Sequence, residues 1–131
     1  MEEADEIYVI EGGLLESIRF RQGGWRFYFP GSELSVWGEA VLQVMGRELT
    51  MLSPDFFAGL QALLGSEITN VRIDTESLTL SFGPNHSLRV LSDEEGEFAS
   101  LLLEGRREAT IWNRTPGGDL VRSTGSPEAF D

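Results

Sequence analysis

The chain has 131 residues, no cysteine, no lysine and a formal net charge of −12. Its length fits one domain over residues 1–131, and its hydrophobic content of 40% suffices for a core. This composition excludes disulfides, thiolate chemistry and Schiff-base catalysis by lysine, and the negative charge disfavours nucleic acids and anionic membranes as partners.

The first predicted element is a strand at Ile7–Ile10, after an acidic start. A secretory signal would begin with basic residues, so none is expected. No apolar run approaches the roughly 20 residues that a bilayer span needs. We therefore expect a cytoplasmic protein without a membrane-spanning helix.

Residues 18–36 predict a three-stranded antiparallel meander. Large apolar residues alternate with polar ones, which is the period of a half-buried strand. Residues 21–24 and 30–33 contain glycine and proline and interrupt the alternation, as turns do. Pairing Phe20 with Trp25 across the first turn places the apolar side chains on one face.

Residues 40–52 predict a further hairpin. Gly46-Arg47 fits the two central positions of a type II′ turn. That turn would pair Val44 with Leu49.

A helix is predicted at about residues 54–64. Pro54 suits its first turn, and Gly65 can end it. Its apolar residues recur at helical spacing and predict a buried face: Phe56, Phe57, Leu60, Leu63 and Leu64.

Residues 71–90 repeat the pattern of residues 18–36. Seven large apolar residues recur at an offset of 53 and, after one inserted residue, of 54. The matched pairs are Ile18 and Val71, Phe20 and Ile73, Trp25 and Leu78, Phe27 and Leu80, Phe29 and Phe82, Leu34 and Leu88, and Val36 and Val90. Residues 99–112 likewise resemble residues 40–52, with a second Gly-Arg at Gly105-Arg106.

The repeat predicts an internal duplication with units at about 14–52 and 67–112. We expect an α+β fold that is mostly β: two pseudo-repeated antiparallel meander units, packed as a sandwich or open barrel, with one helix between them. Residues 113–131 are rich in glycine, proline, serine and threonine, so a flexible tail is expected, with a short edge strand at Leu120-Val121.

Few residues suggest chemistry. His86 is the single histidine and lies in a predicted turn, where a solvated residue is more common than a catalytic one. The acidic run Asp93, Glu94, Glu95 and Glu97 lacks the ligand spacing of a calcium loop and favours a solvated insertion. We therefore predict no catalytic residue, no metal site and no cofactor.

Two features suggest a partner. The acidic run lies in an insertion that the first repeat lacks, so it can contact a basic protein without disturbing the core. Trp37 breaks the alternation after Val36, which places it at a sheet edge or on the outer surface, where tryptophan can anchor a partner. The predicted partner-binding residues are Asp93, Glu94, Glu95, Glu97 and Trp37.

The order of these parts resembles an uncharacterised family of small acidic actinobacterial proteins. The likeness rests on LSVWGEA at 34–40, the Phe-rich helix with Gly65, and the pattern of 71–90, and it covers about residues 14 to 103. The chain departs from the family at Gly83-Pro84-Asn85, where Asp-Gly is usual, and at Phe98, where tryptophan is usual. The family implies no catalytic residue. Such small acidic domains are similar to immunity proteins that neutralise toxins, which implies a protein partner.

The leading hypothesis is a non-enzymatic domain that binds a basic protein, as an immunity-type or regulatory partner. The first alternative is a small hydrolase that uses carboxylates or His86. The second is a structural domain that forms homodimers through its sheet edges.

Overall fold

The computed structural model describes residues 5–21, 24–37, 39–91, 96–105, 107–115 and 117–125. In these ranges a 3₁₀ helix (Asp5–Ile10) precedes the strands, and α1 (Phe56–Gln61) lies between the fifth and sixth strands. The strands are β1 (Ser17–Arg21), β2 (Gly24–Phe29), β3 (Ser32–Trp37), β4 (Ala40–Val44), β5 (Arg47–Thr50), β6 (Asn70–Ile73), β7 (Ser77–Ser81), β8 (His86–Leu91), β9 (Gly96–Leu103), β10 (Ala109–Arg114) and β11 (Leu120–Gly125).

The strands form two antiparallel sheets that share one hydrophobic core. The larger sheet has the order β1-β2-β3-β9-β10-β11, and the smaller has the order β5-β4-β8-β7-β6. The sheets do not close into a barrel. The predicted mostly β fold with one helix is therefore confirmed, and a sandwich is the form it takes.

The two meander units exchange strands. The meander β1–β3 of the first unit pairs with the hairpin β9–β10 of the second, and the meander β6–β8 pairs with the hairpin β4–β5. Each unit thus contributes three strands to one sheet and two to the other. Both sheets therefore contain strands of both units.

The register of the strands repeats as well. Equivalent residues face equivalent partners at the junction between the units: Val36 with Ala99 and Val90 with Ala40, and Leu34 with Leu101 and Leu88 with Leu42. Within the meanders, Ile18 faces Phe27 as Val71 faces Leu80. The pseudo-repeat seen in the sequence is therefore present strand by strand.

The core follows the predicted apolar faces of both meanders. Phe27 and Leu80 have no exposed surface and Phe82 is 7% exposed, so their predicted burial is confirmed. The largest fully buried side chains come from both sheets, α1 and the N-terminal segment: Trp25, Trp112, Phe27, Phe56, Ile7, Leu15, Leu34, Leu42, Leu63, Ile68 and Leu78.

Both ends of the described chain differ from expectation. The predicted strand at Ile7–Ile10 is a 3₁₀ helix. At the other end, Asn113 and Arg114 complete β10, and residues 120–125 pair with β10 as a six-residue edge strand. The expected flexible tail is thus largely sheet as far as residue 125, and residues 126–131 lie outside the described residues.

The β4–β5 turn also differs from the predicted one. Val44 pairs with Arg47, so the central residues are Met45 and Gly46 rather than Gly46 and Arg47. Both have positive φ, 51° and 83°, which is the pattern of a type I′ turn. Met45 is the one non-glycine residue with positive φ in the described part of the chain.

This strained turn leads to a stability prediction. We expect Met45→Asn to raise the free energy of unfolding by roughly 0.5–1 kcal/mol, because asparagine tolerates left-handed backbone better than methionine. Urea denaturation measures the change. Glu104→Asn is the matched control, since Glu104 precedes Gly105 in the equivalent hairpin without a positive φ. An equal gain in both variants would show that the turn strain is not the cause.

Candidate functional site

The residues predicted to bind a partner are only partly placed. Asp93, Glu94 and Glu95 lie outside the described residues. Glu97 belongs to β9 and pairs with Asn113, so it is part of a strand rather than of a loop. Trp37 ends β3 opposite Gly24 and is half-buried within the larger sheet, away from the sheet edges. Among the described residues, Glu97 and Trp37 therefore do not form a common binding site.

His86 is the first residue of β8 rather than part of a turn. It pairs with Val44 and lines a concavity of about 340 Å³ with Gln43, Ser81 and Asn85. No aspartate or glutamate is among the described residues that line it. The described lining of this concavity therefore contains no carboxylate that could orient the imidazole of His86.

A second concavity, of about 310 Å³, lies where the β2–β3 and β9–β10 turns meet. Glu16, Glu33 and Glu104 line it together with Tyr28. Glu33 also makes a long ion pair of 4.0 Å with Arg26. The concavity therefore presents an acidic surface to solvent.

The third concavity is apolar and lies between β1–β2 and α1. It has a volume of about 160 Å³. We call it the aromatic groove and define it by its lining residues: Ile18, Phe20, Trp25, Phe57, Leu60, Gln61 and Leu64. All of these except Gln61 are apolar.

The observed helix is shorter than the predicted one at about residues 54–64. Periodicity correctly placed some apolar residues of the predicted helix in the core and misplaced others. Phe56, Leu60 and Leu63 are buried as predicted. Phe57 is 51% exposed and Leu64 is 43% exposed, so their predicted burial is wrong. Both line the groove because α1 packs on β4 with its opposite side, where Gly59 lies against Leu42.

The same correction applies to β1. Phe20 was predicted to lie on the buried face of the meander, but it is 44% exposed. β1 is the last strand of its sheet, and the neighbouring α1 leaves a gap beside it. The groove is therefore lined largely by apolar side chains whose spacing in the sequence is typical of a buried core.

Trp25 forms the buried centre of the groove. The ring centroids of Phe20 and Phe57 lie 4.5 Å and 6.0 Å from that of Trp25. Trp25 is 1% exposed, and its Nε1–H has no hydrogen-bond acceptor among the described residues. A buried donor without an acceptor costs about 1–3 kcal/mol, and departures of this kind are expected at functional or strained sites.

This geometry suits the binding of an apolar group. The groove has space for an apolar side chain, and its lining has no titratable group. Pockets that receive an aromatic or aliphatic anchor supply much of the binding energy in protein interfaces. Sequence reasoning missed the groove, although the apolar face of α1, too wide for one packing partner, was a signal for it.

Two further observations limit the kinds of site. In the described residues, no group of three or more histidine or acidic side chains could hold a metal ion. The described helices are also too short to cross a membrane.

The resemblance to the actinobacterial family stays a prediction. The residues that carry it include Leu34, Val36 and the apolar face of residues 71–90, all of which have packing roles here. They lie mostly outside the aromatic groove. No family model, no curated protein and no solved structure matches the chain.

Proposed function

We propose that this chain is a non-enzymatic protein-binding domain that holds a basic partner, in an immunity-type or regulatory role. The aromatic groove is the observation that carries the proposal. Phe20, Phe57 and Leu64 keep about half of their surface exposed around a buried tryptophan. Exposed apolar residues are common singly, but a concave cluster of them favours an interface.

The charge of the chain supports a basic partner. A net charge of −12 attracts cationic proteins and accelerates their association. Glu16 adds a negative charge close to the groove, because it lines the acidic concavity and lies two residues from Ile18 of the groove. Charge would thus steer the partner, and the groove would hold it.

The proposal includes a cytoplasmic location, which agrees with a chain that has no cysteine. Affinity would come mainly from burying one or two apolar side chains of the partner against Trp25 and its neighbours. A hot-spot contact of this kind is worth about 2 kcal/mol or more, which is more than a tenfold change in dissociation constant.

Affinity capture with groove variants tests the proposal. We expect the immobilised protein to retain a basic protein from a cell extract of its own organism, with retention falling as salt rises from about 0.05 to about 0.5 M. Phe57→Ser should reduce retention at least about tenfold, because it removes one wall of the groove. Quantitative mass spectrometry measures the amount of each retained protein.

Leu52→Ser is the matched control. Leu52 is 94% exposed and does not line the groove, so its replacement removes an exposed apolar side chain elsewhere. Thermal unfolding would verify that all variants are folded. Equal retention by Phe57→Ser and the wild type would contradict the proposal.

A further inference from the structure

β1 and β6 are equivalent edge strands of the two units. Ile18 of β1 faces Phe27, and Val71 of β6 faces Leu80 in the same register. Each strand ends its sheet, with one ladder partner among the described strands. The two edges can therefore be compared residue by residue.

The edge at β6 is covered by the chain itself. The 3₁₀ helix packs on β6 and inserts Ile7 and Ile10 into the core. Directly after it, the Glu11 carboxylate accepts a hydrogen bond from the Val71 N–H, with Oε2 at 2.7 Å from the nitrogen. Val71 is in consequence only 2% exposed.

The edge at β1 has no such cover in the described part of the chain. Ile18, the equivalent of Val71, is half-buried, and Phe20 is 44% exposed. Because the register is the same, the Ile18 N–H points out of the sheet edge as the Val71 N–H does. No described side chain takes the place of Glu11 there.

We propose that a short segment of the partner covers the β1 edge beside Ile18. This segment has the same chemistry as residues 7–11: two apolar side chains three residues apart, followed directly by a carboxylate. The apolar side chains enter the aromatic groove, and the carboxylate accepts the Ile18 N–H. This inference rests on the proposed function and specifies how the groove is used.

The positive charge of Arg19 suits that carboxylate. Arg19 follows Ile18 and is exposed, as Arg72 follows Val71 at the covered edge. A carboxylate that accepts an edge N–H beside a guanidinium forms a charge-assisted hydrogen bond. A single local acidic residue is compatible with a partner whose net charge is positive.

A second copy of the chain fits less well as the occupant. Two copies would each bring a charge of −12, which opposes association. The matching segment of each copy is also engaged on its own β6. Both observations favour a different protein.

A peptide titration tests the inference on the intact protein. The probe is an acetylated and amidated hexapeptide with the sequence of residues 7–12, IYVIEG, added to ¹⁵N-labelled protein and followed by NMR. We expect the amides of Ile18 and Phe20 to shift, with the Ile18 proton moving downfield. A peptide with glutamine in place of glutamate should bind about three- to tenfold more weakly. Phe20→Ser should also weaken binding, because it removes the exposed wall.

Several outcomes would overturn the inference. One is the absence of an Ile18 shift at about 5 mM peptide, a concentration that detects even millimolar affinity. Others are shifts confined to Val71, equal affinity of the glutamate and glutamine peptides, or an Ile18 shift that follows protein concentration without peptide, which would assign the groove to a second copy. None of these results bears on whether a basic protein is retained through Phe57, so the proposed function is tested separately.

Discussion

Phe27→Ala is expected to lower the free energy of unfolding by roughly 3–5 kcal/mol, the largest effect of any change considered. Phe27 has no exposed surface and stacks on Trp25 with ring centroids 6.5 Å apart and planes 9° from parallel. Its backbone pairs with both Ile18 and Leu34, which restricts collapse of the strands into the space left behind. The cavity would therefore persist.

Urea denaturation provides the measurement, with Phe57→Ala as the control. Phe57 contacts the same tryptophan but is 51% exposed, so its replacement should cost no more than about 1 kcal/mol. Leu80→Ala removes the equivalent residue of the second unit, and roughly 2–5 kcal/mol is expected. Similar losses for Phe27→Ala and Phe57→Ala would mean that α1 packs more closely on Trp25 than the structure shows.

Strand periodicity predicted the two meanders well because burial is strong on one face. Trp25, Phe27 and Leu34 alternate with polar residues and are all buried. A slip of one residue would expose the whole set, so the pattern determines the register within each meander. The glycine and proline residues between the apolar runs then predicted where each strand ends.

The exchange of strands between the units was not visible in the sequence. Alternation identifies a strand but does not identify the neighbour with which it pairs. β3 could pair with the following strand β4, yet it pairs with β9, and the paired residues Val36 and Ala99 are 63 positions apart in the chain. Only packing of both apolar faces in three dimensions decides between these partners.

The wrong predictions at the N-terminal segment and at the aromatic groove have different causes. Ile7 and Ile10 were interpreted as strand residues, but they are three residues apart, which is the spacing of one face of a 3₁₀ helix. A short apolar run does not distinguish these cases.

Phe20 and Phe57 were misplaced for another reason. Their spacing indicates which face of the strand or helix they share, but not whether anything packs against that face. β1 is at a sheet edge and α1 has six residues, so neither element is covered fully. Conflicts between a core-like pattern and exposure occur mainly at functional sites, which is why they guide the proposal made for this chain.

The second large effect is expected at Gly59, where α1 lies against the hairpin β4–β5. A Cβ atom at this position would lie 2.8 Å from Leu42 Cδ2 and 3.3 Å from Leu49 Cδ1. Leu42 has no exposed surface and cannot move away without displacing its own neighbours. We expect Gly59→Val to lower the free energy of unfolding by roughly 2–3 kcal/mol through overpacking.

Helix propensity acts in the opposite direction, since valine is more favourable than glycine within a helix by a few tenths of a kcal/mol. A loss at Gly59 therefore reports packing alone. Ala58→Val is the matched control on the exposed side of α1, and it should cost no more than about 0.7 kcal/mol. Equal losses at the two positions, measured by urea denaturation, would show that α1 does not pack on β4–β5. The position of the groove wall that Phe57 forms would then not depend on packing between Gly59 and Leu42.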